Sequence, residues 1–143
     1  MFRPAIESAT KQRFAAAYRQ IGAETAVADA TPHRLVTMLF DGYADALAQA
    51  RGALARGQTE QKGRAIARAV RIVDEGLRAS LNLEGGGALA QDLHALYAYI
   101  ETRLTLANLR NDDSMLAECQ RLMQPLRDAW ASIAERVQPA GVR

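Results

Sequence analysis

A chain of 143 residues with 49% hydrophobic and 24% charged side chains is long enough to bury one core, too short for two ordinary domains, and too apolar to be disordered. Its net charge of +2 gives little bulk attraction for nucleic acid, and a single cysteine, Cys119, excludes an internal disulfide and a structural zinc site. No run of about eighteen uncharged apolar residues predicts membrane insertion, and the opening residues lack the apolar stretch of a secretory signal, so a cytoplasmic location is expected.

The first thirty residues read as an arm and linker. Phe14, Tyr18 and Ile21 share one side of a helical wheel, but the alanines and polar residues around them offer little else to bury. Helices this short are marginal alone in water, which predicts a short docking helix or a mobile arm. Gly22 to Ala30 reads as a linker.

The first long helix is announced by Thr31, whose hydroxyl can cap it, and by Pro32, which fits the first helical position. It runs to about Arg56 and stops at Gly57. Leu35, Leu39, Tyr43, Ala46, Ala50 and Ala53 line one face; Val36, Phe40, Leu47 and Leu54 widen it on one side and Met38 on the other. The apolar arc approaches about 200°, where a surface helix needs little more than 100°. Such a helix either packs against two neighbours or reserves part of its face for a foreign helix.

A second helix is expected from Thr59 or Glu60, with Ile66, Val70, Val73, Leu77 and Leu81 inward, ending near Asn82 and the Gly85-Gly86-Gly87 break. The third carries Leu89, Leu93, Leu96, Tyr97, Ile100, Leu104 and Ala107 and stops at Asn111. The fourth follows Asp112 or Asp113 and repeats Met115, Cys119, Leu122, Leu126, Ala129, Trp130, Ile133 and Val137, with Pro139 and Gly141 as its stop. Long helices of similar length joined by tight turns predict an all-α, antiparallel up-down-up-down four-helix bundle at 31–138, with a short N-terminal helical arm at 1–30 and a disordered tail at 139–143.

Catalytic and cofactor chemistry finds no support. A carboxylate-bridged metal site needs Glu-x-x-His pairs, whereas Gln91 precedes His94 and no carboxylate stands at that spacing from His33. His94 also lacks the following lysine and glycine of a phosphotransfer histidine, and the glycine run lacks the Lys and Ser or Thr of a phosphate loop. From Arg51 to Arg78 seven basic residues face three acidic ones. Asp74 and Glu75 interrupt that stripe and no aromatic residue lies within it to stack a base, so a solvated face is expected rather than a nucleic-acid surface.

The run TPHRLVTMLFDG resembles the first bundle helix of the flagellin export chaperones, the FliS family, in which T-x-x-P-x-x-L-x-x-M-L-Y/F-D/E/N-G or a close variant is common. AQARGALARGQTEQKGRAIARAVRIVDEGLRASLN fits that family's next loop and helix, LHALYAYIETRLTLANLRND is similar to its L-Y-D-Y-M-x-x-R-L-x-x-A-N-x-x-N-D pattern, and LRDAW is similar to its ending. Ala98 departs from the aspartate many members carry. The resemblance implies a non-enzymatic, cofactor-free cytoplasmic chaperone. Such a protein would bind the disordered C-terminal region of flagellin, prevent premature polymerisation and assist delivery to the flagellar type III export gate, with a homodimer left open. The alternative from another class is a helical adaptor that binds a partner helix or an anionic ligand.

Within that reading the surplus apolar residues Val36, Phe40 and Leu47, with Tyr43 shared between groove and core, are the expected flagellin-binding groove. Tyr99 and Leu106 lie on one flank of the third helix and are expected to extend it. Gly42, costly inside a helix, predicts a close approach by a bundle helix or by cargo. Phe14, Tyr18 and Ile21 are expected to plug the empty groove until cargo displaces them.

Overall fold

A computed structural model describes residues 11–18 and 31–142, with side chains to residue 133. Ile21, the linker and the last ten side chains lie outside the described residues. The described fold is all-α. A short helix, α1 (residues 11–17), precedes α2 (Pro32–Ala55), α3 (Thr59–Arg71, continued by a π-helical segment Ile72–Arg78), α4 (Gly87–Arg110) and α5 (Asp113–Val142).

The termini follow the local chemistry. Thr31 Oγ1 accepts the Arg34 amide at 3.0 Å, with Pro32 in the first turn. Gly57 takes a positive φ of 71° after α2, and Asn111 takes φ 52°, ψ 47° as the left-handed cap of α4. Lys62, only 3% exposed, donates from Nζ to the Asn108 carbonyl at 2.9 Å and to Asn111 Oδ1 at 2.6 Å, so it completes that cap from the neighbouring helix.

Pairs between helices run in opposite numerical order. Trp130 meets His33 and Thr37, Arg127 meets Asp41, Cys119 meets Tyr43, and Asp113 meets Arg51, which sets α5 alongside α2. Across α2 and α3, a Cβ on Gly42 would lie 3.3 Å from Ile72 Cδ1 and one on Gly76 2.6 Å from Leu39 Cδ2. Gly42 therefore serves a bundle helix. Lys62 with Asn108 and Arg78 with Glu101 join α3 to α4, and Glu118 with Tyr99 and Arg103 joins α4 to α5.

Three features differ from expectation. The second helix ends at Arg78 rather than near Asn82, because its last turns widen into a π-helix where Gly76 crosses Leu39. The fourth continues past Pro139 to Val142 and passes through Pro125; each proline removes one intrahelical hydrogen bond without forcing the backbone out of helical dihedrals. The centre of the core also shifts. Val36, Phe40 and Leu47 are at most 1% exposed, while Leu35, Leu39 and Leu54 are only partly buried. The residues read as surplus are the centre of the face.

Candidate functional site

The arm builds the site. Phe14, Ala17 and Tyr18, the last in the turn that ends α1, fall at i, i+3 and i+4 on one face and are the buried residues among those described in the arm, at 3%, 0% and 2% exposure. The Phe14 ring lies 5.6 Å from Trp130 and 6.5 Å from Phe40; the Tyr18 ring lies 5.5 Å from Trp130 and 6.5 Å from Phe40. All of these contacts are tilted or edge-on, with interplanar angles between 54° and 75°, geometries that aromatic quadrupoles favour. Four aromatic rings thus close over one end of the bundle.

Polar contacts fix the arm's register. The Tyr18 and Tyr97 hydroxyls form a buried hydrogen bond, and burial holds both phenols protonated by raising their pKa. The Asn82 amide donates to the Ala17 carbonyl at 2.5 Å. Gly86 permits this approach: a Cβ there would lie 2.8 Å from Ala17 Cα and 2.5 Å from the Asn82 carbonyl oxygen.

His33 underpins the rim. Its ring packs 5.0 Å from the Trp130 ring, its carbonyl accepts the Trp130 indole N–H at 3.1 Å, and its Nδ1 is buried without a hydrogen-bond partner among the described residues. Burial lowers its pKa. A cavity of about 530 Å³ between arm and bundle is lined by Gln12, Ala15, Ala16, Tyr18, Pro32, His33 and Trp130.

The expected groove residues divide into two places. Val36, Phe40, Tyr43 and Leu47 are all buried in the core rather than turned to solvent. Of these, Phe40 sits directly beneath Phe14 and Tyr18, and Tyr43 donates its hydroxyl to the Cys119 carbonyl at 3.1 Å. Beside them a groove of about 310 Å³ runs along α2 and α5 over Phe40, Tyr43 and Met123, rimmed by Gln120, Gln124 and Arg127.

Tyr99 and Leu106 lie elsewhere, on the α4 flank towards α5. Tyr99 is 45% exposed and donates to Glu118 Oε2 at 2.7 Å; Arg103 binds the other oxygen at 2.7 Å and lies 5.9 Å from the Tyr99 ring. The Tyr99 hydroxyl, then Arg103, holds the Glu118 carboxyl below its usual range. Leu106 is partly buried against the core. The sequence does not single out His33, Asn82 or Gly86 for this site, and it places Tyr97 and Trp130 in the core alone. The i, i+3, i+4 pattern of Phe14, Ala17 and Tyr18 is the available signal for a docked arm.

The remaining chemistry is quiet. Cys119 is buried and its thiol is pushed up to about 12 by burial, so it stays protonated at neutral pH. The basic stripe is partly compensated: Arg64 pairs with Glu60 at 3.0 Å, Arg78 with Glu101 at 3.0 Å and Asp74 at 3.4 Å, and Lys62 is buried in its cap. Among the described residues no helix is long and apolar enough to cross a membrane.

Comparison with known proteins adds the family. The model described as flagellar protein FliS matches residues 14–137. The chain is 43% identical over 120 residues to the flagellar secretion chaperone FliS of Salmonella typhimurium, covering 84% of this chain and 89% of that protein. It is 46% identical over 114 residues to the flagellar secretion chaperone FliS of Escherichia coli, covering 80% and 84%. Against the flagellar secretion chaperone FliSB of Pseudomonas aeruginosa the identity is 44% over 117 residues, covering 82% and 92%. The matched span takes in both the buried arm aromatics and the bundle surface they cover.

Proposed function

The chain belongs to the FliS family of flagellar secretion chaperones, and from that premise we propose that it holds the disordered C-terminal region of flagellin before assembly and assists its delivery to the flagellar type III export gate. The observation that carries this reading is the arm: a short helix, far too small to be stable alone, seated through Phe14 and Tyr18 on Phe40, Tyr97 and Trp130. A helix of that kind is replaceable by another of similar face.

In this mechanism a flagellin segment folds as it binds and displaces the arm. Its apolar residues cover Phe40 and Trp130, and the α2–α5 groove over Tyr43 and Met123 continues the track. Val36 and Leu47 support the floor from the core. The exposed Tyr99, with Leu106 beside it, offers a second station for a tail that wraps the bundle. A wrapped tail is favoured because ordering a disordered chain needs a large interface to offset its entropy. Binding equilibrium alone holds the cargo, and the arm sets the affinity, since the open site is only a fraction of the free population.

Calorimetric titration of the intact chain with a flagellin C-terminal peptide is expected to show a strongly negative heat-capacity change, with a shift of Trp130 emission as Phe14 and Tyr18 leave. The full-length double substitution F14A/Y18A is expected to bind that peptide more tightly. No heat and no complex at about 50 µM would overturn the assignment. Equal affinity with and without the two arm side chains would leave a chaperone whose arm is not a plug.

A further inference from the structure

The arm is a ligand whose bound structure is known, so it records what its receptor surface accepts. Phe14, at position i, reaches Trp130 and Phe40 through its ring alone, which asks for bulk and apolarity. Ala17, at i+3, is 0% exposed and its carbonyl is held by the Asn82 backbone amide, so a larger side chain there meets packed atoms while the backbone is pinned. Tyr18, at i+4, makes ring contacts but also meets the Tyr97 hydroxyl.

Tyr97 is the discriminating element. It is 0% exposed, and among the described residues Tyr18 is its hydroxyl's hydrogen-bond partner. Removing the arm without replacing that partner leaves a polar group desolvated wherever the incoming side chain excludes water, a cost that falls on apolar occupants and not on hydrogen-bonding ones. Sites built around a buried hydroxyl reject analogues that lack the matching group far more strongly than apolar pockets reject a missing methylene.

Resting on the reading that the arm covers the cargo site, we propose that this site selects helical segments of the exported cargo by a three-position pattern: a large apolar residue at i, alanine, glycine or serine at i+3, and a hydrogen-bonding side chain, tyrosine foremost, at i+4, with Tyr97 as the specificity-determining residue. The pattern is the arm's own Phe14, Ala17 and Tyr18, and a competing helix enters by reproducing it.

The test uses the full-length F14A/Y18A protein, its fold checked by circular dichroism, titrated with a helix-stapled peptide of residues 11–20 and followed by Trp130 emission. The parent peptide is expected to bind, its Tyr18→Phe form about tenfold more weakly, and its Ala17→Leu form not measurably. In F14A/Y18A/Y97F protein the tyrosine and phenylalanine peptides are expected to bind within about twofold of each other. Equal binding of those two peptides to the Tyr97 protein, or no binding of the parent at about 1 mM, overturns the pattern. A second measurement keeps the arm intact: Asn82 amide exchange should quicken in Y18F and in Y97F, and the double variant should add little to either; unchanged exchange in both singles also overturns it. Arm peptides that bind as expected while a flagellin peptide does not would remove flagellin and leave the pattern standing.

Discussion

Two side chains show what a single residue does here. Lys62 looks, in sequence, like one more member of a basic stripe, yet its ammonium is spent on the Asn108 carbonyl and the Asn111 side chain at the end of α4. Methionine at that position would keep the stem and leave two acceptors unpaired, and Lys62→Met is expected to cost about 1–3 kcal/mol in urea unfolding. His33 acts through protonation. Burial against Trp130 lowers its pKa from the ordinary 6.5, so the unfolded chain takes up the proton before the folded one. Its contribution is therefore complete above pH 6.5 and declines as pH falls below that value. The melting temperature is expected to drop as pH falls below 6.5 in the parent, and less in His33→Gln. Asp112, Asp113 and Glu118, all held low, lose their contributions only at more acidic pH.

At the scale of elements, the caps and the apolar periodicity are legible in the sequence itself. Thr31, Pro32, Gly57 and Asn111 mark helix ends because the backbone groups they satisfy are local. What periodicity measures is the width of an apolar face, and it cannot say which neighbour covers which part. Val36, Phe40 and Leu47 therefore read as surplus although they form the middle of the α2 face, with Leu39 turned to Gly76 on the other side. The π-helical turn is illegible for the same reason: its counterpart is a leucine on another helix. The site is half legible. Phe14 and Tyr18 stand out, but Gly86 looks like one glycine of a loose turn, and only the approach of Ala17 gives it a role. Gly86→Ala would place its Cβ against backbone atoms of Ala17 and Asn82, which cannot swing aside as a side-chain tip can. The expected result is a solvent-exposed Trp130 emission spectrum with the helical circular dichroism of the bundle retained.

For the whole molecule, stability is graded. The bundle shares one continuous core from Val36 to Ile133, whereas the described part of the arm contributes a single buried face of three residues, Phe14, Ala17 and Tyr18. Regions with few buried contacts open at lower free energy than the core. In a urea titration the Trp130 emission change is expected to begin at lower concentration than the loss of helicity, and coincident curves would mean that arm and bundle unfold as one unit. The family places the molecule in flagellar export, and a graded structure of this kind lets the covering element yield while the scaffold stays folded.

The contact between Tyr18 and Tyr97 spans 79 residues of chain, and the one with Trp130 spans more. A pairing so distant in sequence closes late, after local helices have formed. During synthesis the arm leaves the ribosome long before the indole it will cover exists. Each newly made molecule thus passes through a form in which the arm is already synthesised while the surface it covers in the folded protein is still incomplete.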